Sequence, residues 1–73
     1  MNGVVLVPST SHALRGEKLL KEAGIATKLI PTPRQLSSSC GLALRFPWER
    51  QAEVEALLRN HRLDYVRIVQ LDA

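Results

Sequence analysis

The order of short apolar runs and helix-periodic segments constrains the fold of this chain more than any other feature. GVVLV, residues 3–7, is β-branched and apolar and stops at Pro8, which predicts a buried strand. From His12 to Ala23 small and apolar residues recur at helical spacing, after hydroxyl residues that can cap a helix, and Gly24 is the expected left-handed stop. The start of the chain therefore predicts a strand followed by a helix.

The rest of the chain predicts two more strands, a second helix and a last strand. Pro31 closes a second β-branched run, and the third run alternates, with Leu42, Leu44 and Phe46 on one face. We expect Pro47 to open the first turn of the second helix, whose glutamates near the start and arginines near the end complement the helix dipole. The predicted strands are residues 25–31, 41–46 and 64–71, and the second helix is residues 48–60.

This order, βαββαβ, predicts an α+β fold of the ferredoxin-like type in a single domain over residues 1–73. Such a sandwich has a four-stranded antiparallel sheet with both helices on one face. Because its third strand lies antiparallel between the first and the second, the start of strand three meets the end of strand one. The topology thus predicts that Cys40 lies near Ser9, Thr10 and His12.

Composition excludes several classes of function. The net charge of +3 would suit a nucleic-acid partner, but the basic residues are interleaved with acidic ones and the chain has only three aromatic residues, so we expect no nucleic-acid binding. No apolar run approaches the ~20 residues of a membrane helix, and no basic region follows Met1 as it would in a secretory leader. A single cysteine cannot form an internal disulfide, so we expect a cytoplasmic protein with a free thiol.

Cys40 is the strongest candidate for chemistry. It follows three serines and precedes a glycine. A thiolate is stabilised by a helix N-terminus, a nearby cation or backbone N–H groups, and Ser38, Ser39 and Gly41 could shape a site for an anionic sulfur. Cysteine is also among the most buried residue types, so a merely packed Cys40 stays open as an alternative.

Residues at the start of the first helix and in the following loop are candidates for supporting roles. His12 could favour the thiolate or protonate a leaving thiolate, and Ser9 and Thr10 could support the anion site. Arg34 could attract an acidic partner, although a solvated loop cation is the simpler interpretation. Metal binding is not expected, since one cysteine and two separated histidines do not match zinc spacing. A dithiol redox enzyme would need a resolving cysteine, which the sequence lacks.

The chain resembles the selenium/sulfur carrier-like family of small bacterial domains over nearly its whole length. The resemblance is carried by PSTSHALRGEKLLKEAGIATKLIPTPRQLSSSCGLALRF, and above all by its Ser38-Ser39-Cys40-Gly41-Leu42 segment. It implies a carrier, more than an enzyme, in which Cys40 holds sulfur or selenium as a persulfide or perselenide. The implied partners are a chalcogen-donating enzyme and an acceptor protein, and no cofactor is expected, since nothing in the chain suits the pyridoxal cofactor that a donor uses.

Two other functions stay open. In the first, the protein is a non-catalytic binding module whose open sheet face mediates dimerisation, and Cys40 is packed; a small core makes a homodimer plausible. In the second, Cys40 is a thiol redox sensor. The sequence does not distinguish sulfur from selenium. Better-known sulfur carriers have a Cys-Pro-x-Pro motif where this chain has Cys40 followed by Gly-Leu, so their partners are not transferred to it.

Overall fold

The strands and α-helices follow one another along the chain in the predicted order, βαββαβ. The structure is a computed structural model and describes residues 1–36 and 41–71. A short 3-10 helix leads into the second α-helix. The elements are β1 (Asn2–Leu6), α1 (Thr10–Glu22), β2 (Lys28–Pro31), β3 (Leu42–Pro47), the 3-10 helix (Trp48–Arg50), α2 (Gln51–Asn60) and β4 (Arg67–Leu71).

The strands form one sheet in the order β2-β3-β1-β4, and all neighbouring pairs are antiparallel. β3 lies between β1 and β2, which confirms the α+β arrangement predicted from the sequence. Leu6 at the end of β1 faces Ala43 on β3 and Arg67 on β4. The end of β1 and the starts of β3 and β4 therefore meet at one edge, which we call the Leu6 edge.

Both helices pack on the same face of the sheet, which we call the covered face. Side chains from both helices meet alternate side chains of β1 and β3 there, as the strand periodicity predicts. Burial of each large apolar side chain stabilises the fold by roughly 1.5–3 kcal/mol. The buried residues of this core are Val5, Val7, Ala13, Leu20, Ile25, Leu44, Phe46, Val54, Leu58 and Leu63.

The opposite face, which we call the open face, has a smaller apolar cluster. Its buried centre is Val4, Leu6 and Ala43. Among the residues that the structure describes, no helix contributes to this cluster. Half-buried side chains pack around the centre: Ile30, Leu36, Val69 and Leu71.

The residues that cap the two ends of helix α1 can be recognised in the sequence. Ser9 is the N-cap, with an extended backbone and a side chain that accepts a hydrogen bond from the His12 amide. The helix consequently begins at Thr10, earlier than the predicted His12. Gly24, with φ of 81°, follows the C-cap Ala23 and confirms the predicted left-handed stop.

The predicted start of β2 at Ile25 is wrong, because residues 25–27 bond locally. The Ile25 amide donates to the Leu20 carbonyl at 3.0 Å, and the Thr27 hydroxyl donates to the Ile25 carbonyl at 3.1 Å. Both side chains are buried. Ile25 and Thr27 are therefore β-branched because they pack under the end of the helix. Strand pairing with β3 starts only at Lys28.

The predicted role of Pro47 is also wrong. Its backbone is extended (φ −66°, ψ 125°), so it ends β3 and precedes the 3-10 helix instead of opening a helical turn. The next amide, that of Trp48, donates to the Met1 carbonyl at 3.1 Å. The Trp48 ring stacks on Phe46 with 6.2 Å between ring centroids. Tertiary contacts therefore determine the backbone at this junction.

Strand β4 is also shorter than predicted. It begins at Arg67.

Candidate functional site

The described residues that were predicted for the site lie at or next to the Leu6 edge, where α1 begins. Pro31 faces Leu42 across β2 and β3, and the Thr32 amide donates to the Gly41 carbonyl at 3.0 Å. The two ends of the loop between β2 and β3 are therefore held together. Three predicted site residues, Ser38, Ser39 and Cys40, fall in segment 37–40, which lies outside the described residues.

The structure brings Ser9 and His12 into direct contact. The Ser9 Oγ lies 2.6 Å from the His12 Nδ1 and also accepts from the His12 backbone amide at 3.3 Å. A hydroxyl can donate one hydrogen bond and accept two, so Oγ can accept from the amide and still either donate to Nδ1 or accept from an Nδ1–H. Which atom donates in the contact between Oγ and Nδ1 follows the tautomer of the ring. The half-buried His12 ring is thereby oriented by its own helix cap.

The N-terminus of α1 retains its positive electrostatic character. The first helical residue, Thr10, is exposed, and the first turn of the helix contains no acidic residue. Unpaired N–H groups of a first turn carry partial positive charge and favour anions nearby. Thr10 thus lies where the sequence predicts anion support, although nothing in the described residues shows it bound to a partner.

Arg34 is an exposed residue of a tight turn after β2. The Leu36 amide donates to the Pro33 carbonyl at 3.0 Å, which places Arg34 at the second position of the turn. Leu36 packs on the apolar cluster of the open face. Arg34 makes no ion pair within residues 1–36 and 41–71. It is therefore an accessible cation on a turn that the sheet anchors.

Gly41 is exposed and has an ordinary backbone. Among the described residues, φ is positive only at Gly24 and Arg62, so an unusual backbone angle does not explain the glycine at position 41. A Cβ placed on Gly41 would meet no atom of the described residues within 4 Å. The described residues therefore leave room beside Gly41 for close approach by another molecule.

Two apolar residues that the sequence did not mark as exposed are accessible to solvent. Leu14 in α1 and Val66 just before β4 are each 52% exposed. The Val66 amide donates to the Leu6 carbonyl, so Val66 lies at the Leu6 edge. Leu14 could have been noticed from the helical spacing, because it falls outside the buried stripe of Ala13, Gly16 and Leu20. The exposure of Val66 could not be predicted, because it depends on the residue at which β4 begins.

Within the described parts of the chain, no group of three or more histidine, cysteine or acidic side chains is arranged to hold a metal ion. The helices described are also too short or too polar to cross a membrane. His61 lines a cleft of about 290 Å³ together with Arg15 and Lys18 of α1, and His12 is not among the residues that line it.

Comparison with known proteins identifies the family. A family model described as "Putative Se/S carrier protein-like" matches residues 2–70. This chain belongs to that Se/S carrier-like family. The match includes α1, its Ser9 cap and the whole loop between β2 and β3, which are the elements of the predicted site. Searches of curated proteins and of solved structures gave no match.

Proposed function

We propose that this domain carries sulfur or selenium on Cys40, as a persulfide or perselenide, and passes it to a partner protein. The observation that carries the proposal is the family match over residues 2–70. Cys40 is the only cysteine of the chain, and a thiolate is the side chain that can hold a chalcogen atom covalently. A carrier family implies interaction with partner proteins. A reducing compartment such as the cytoplasm would keep this thiol free.

The proposed transfer is a thiol exchange that needs no oxidant or reductant. The Cys40 thiolate attacks the outer sulfur of a donor persulfide, and a new S–S bond forms on Cys40. The S–S bond of the donor breaks, and its electron pair leaves with the donor cysteine as a thiolate. An acceptor thiolate then attacks the outer sulfur on Cys40 in the same way, which regenerates the Cys40 thiolate. Selenium would follow the same steps.

The surroundings of the Leu6 edge support roles for the other predicted residues. With a proton on Nε2, the His12 ring could donate a hydrogen bond to the Cys40 thiolate or to a departing thiolate, while Ser9 contacts Nδ1. Thr10 and the α1 N-terminus would favour the negative charge. Arg34 would then be a contact for the partner.

Two further predicted roles belong to the loop itself. Ser38 and Ser39 would supply hydroxyl and amide donors to the anionic sulfur. Gly41, which has open space around it, would let the partner's reacting sulfur approach Cys40. These roles make the loop between β2 and β3 the reacting surface of the carrier.

Intact-mass measurement tests the proposal. The protein is incubated with a cysteine desulfurase and cysteine, without added thiol reductant, and weighed intact; a parallel reaction uses a selenium donor. We expect a sulfur-sized or selenium-sized mass increment on the wild type that is lost in Cys40→Ser. Ser11→Ala is the control variant, since Ser11 is exposed and lies on the same helix. Circular dichroism shows whether each variant is folded.

Other outcomes would contradict the carrier proposal. A thiol that resists both the donor and alkylation, together with a stable dimer, would instead support the binding-module alternative. Formation of a sulfenic acid with peroxide, without any persulfide formation from the donor, would support the redox-sensor alternative.

A further inference from the structure

The charged residues of the sheet are all basic and all lie on one face. The strands contain Lys28, Arg45 and Arg67 and no acidic residue. Arg45 is paired with Lys28 on one side and Val4 on the other, and Arg67 is paired with Leu6. Paired residues of neighbouring strands share a face. Because Val4 and Leu6 form the centre of the open face, the three cations lie on that face too.

The acidic residues lie elsewhere. Two cations near the helices have carboxylate partners: Lys21 Nζ lies 3.4 Å from the Glu17 carboxylate, and Arg50 donates to Glu53 at 2.7 Å. The open-face cations make no ion pair with any residue in the ranges 1–36 and 41–71. Within those ranges the acidic residues are Glu17, Glu22, Glu49, Glu53, Glu55 and Asp64, and none of them is in a strand.

The open face combines these cations with accessible apolar surface. Ile30, Val69 and Leu71 are half-buried and surround the buried centre. Lys28 lies on one edge strand, β2, and Arg67 lies on the other, β4, so cations border the apolar centre on both sides. An apolar centre with a charged rim is the usual anatomy of a protein interface.

The charge pattern selects among possible occupants of this face. A second copy stacked on the open face would bring the cations of both copies together with no strand carboxylate between them, which disfavours a face-to-face dimer. Single-stranded nucleic acid needs aromatic side chains for base stacking, and the strand residues of this face include none. The large apolar residues exposed in the described chain, Met1, Leu14 and Val66, lie outside the strands, so the face lacks a protruding group for a lipid surface.

We propose that the open face docks an acidic surface of a partner protein. Carboxylates of the partner would pair with Lys28, Arg45 and Arg67, while its apolar side chains would pack on Ile30 and Val69. This inference concerns the sheet and does not require chemistry at Cys40. It also differs from the dimerisation alternative, which assigns the same face to a second copy of the chain.

A defined peptide probe tests the proposal. Binding is measured for a short synthetic peptide that alternates leucine and glutamate, and for peptides with glutamine or lysine in place of glutamate. We expect the glutamate peptide to bind at least about tenfold more tightly than the glutamine peptide, with an affinity that falls as salt rises. Methyl NMR shifts of Ile30 and Val69 should report the contact.

Matched charge reversals show which surface of the protein binds the glutamate peptide. The triple variant Lys28→Glu, Arg45→Glu and Arg67→Glu should weaken binding of the glutamate peptide by at least about tenfold. A triple variant with the same charge change away from the sheet should change it by less than about threefold; its substitutions are Arg15→Glu, Lys18→Glu and Arg62→Glu. If the open-face triple variant unfolds, Arg67→Glu alone replaces it. Cys40→Ser should bind like the wild type, which separates this test from that of the carrier function.

Several results would overturn the proposal. They are equal affinity for the glutamate and glutamine peptides, equal losses in the two triple variants, or NMR shifts confined to the helices. A stable dimer that covers Ile30 and Val69 would assign the face to a second copy. Tighter binding of single-stranded RNA or of phosphatidylserine vesicles to the same cations would assign it to a nucleic acid or a membrane.

Discussion

The two faces of the sheet are built from the same strands but differ in what packs on them. On the covered face, strand side chains such as Val5 and Leu44 interlock with both helices and are fully buried. On the open face, a narrow centre around Val4 is bordered by Lys28 and Arg67. A helix could not cover such a border without burying unpaired charges, which is costly. The covered face therefore supplies most of the stability, while the open face keeps cations available to solvent and to partners.

Two leucines on opposite faces give the sharpest test of this contrast. Leu44→Ala on the covered face should lower the free energy of unfolding by about 2–5 kcal/mol, because it leaves a cavity under the helices. Leu71→Ala on the half-buried rim of the open face should cost less than about 1.5 kcal/mol. Urea unfolding followed by circular dichroism measures both. Equal costs would show that the open face is as much a core as the covered face.

Glycines give a second test, based on steric contact. A Cβ on Gly3 would lie 2.5 Å from Phe46 Cζ and 2.6 Å from Trp48 Cε3, so Gly3→Ala should cost about 1–3 kcal/mol. Gly41→Ala, where a Cβ would meet none of the described atoms within 4 Å, should change stability by less than about 0.5 kcal/mol. Thermal unfolding compares the two. A Gly3→Ala variant as stable as the wild type would contradict the packing of the aromatic pair on β1.

At the start of α1, His12 should affect the chemistry of Cys40 more than the fold. His12→Ala should slow sulfur acceptance by Cys40 about tenfold, because it would remove the proposed hydrogen bond from the ring to the Cys40 thiolate. The rate is measured by intact mass after mixing with the persulfide donor. His61→Ala is the control, and we expect it to leave the rate unchanged because His61 is exposed and lines a cleft to which His12 does not contribute. Equal slowing in both variants would argue against a specific role for His12.

The Ser9 cap should contribute a smaller amount to stability. Ser9→Ala removes the acceptor for the His12 amide and should cost about 1 kcal/mol. Exposed Ser11 is the matched control, and Ser11→Ala should have little effect. Ring nitrogen NMR shifts of His12 should also change in Ser9→Ala only. Unchanged ring nitrogen shifts of His12 would contradict the contact between the Ser9 hydroxyl and Nδ1.

The smallest expected effect concerns acid. On the helix layer, the hydrogen bond from Arg50 lowers the pKa of Glu53 below its ordinary value of about 4.5. A carboxylate with a depressed folded pKa stabilises the fold above the unfolded pKa, and this contribution is lost as pH falls through the folded pKa. The difference in Tm between wild type and Arg50→Gln should therefore be present near neutral pH and vanish in acid.

Arg45→Gln is the control for this acid effect, because Arg45 has no carboxylate partner among the described residues. Its Tm difference from wild type should not shrink as pH falls through the glutamate range. A shrinking difference would mean that an open-face cation has an acidic partner, and the contrast between the two faces would fail.

Much of the architecture was predictable because it depends on local patterns. The alternation of Leu42, Leu44 and Phe46 with Ala43 and Arg45 predicts the two faces of β3, and the structure confirms it. Two of the segment boundaries that failed involve residues whose local pattern is ambiguous. Apolar Ile25 packs under a helix end without joining a strand, and a proline suits an extended residue as well as a helical first turn.

The candidate site was predictable only in part. The lone thiol and the hydroxyl residues before α1 are visible in the sequence, and the predicted topology correctly places the start of β3 beside the end of β1. The direct contact of Ser9 with the His12 ring was not predicted, because it depends on a side-chain rotamer and on the exact residue at which α1 begins. The position of Cys40 relative to His12 stays a prediction.

Local sequence alone specified the order of the elements, the stop at Gly24 and the identity of the single thiol, because periodicity, left-handed backbone preference and composition act over a few neighbouring residues. That Lys28, Arg45 and Arg67 share one face, with no carboxylate partner among the described residues, depends on the tertiary structure. These cations are far apart along the chain, and strand order and register, which depend on long-range pairing, bring them to the same side of the sheet.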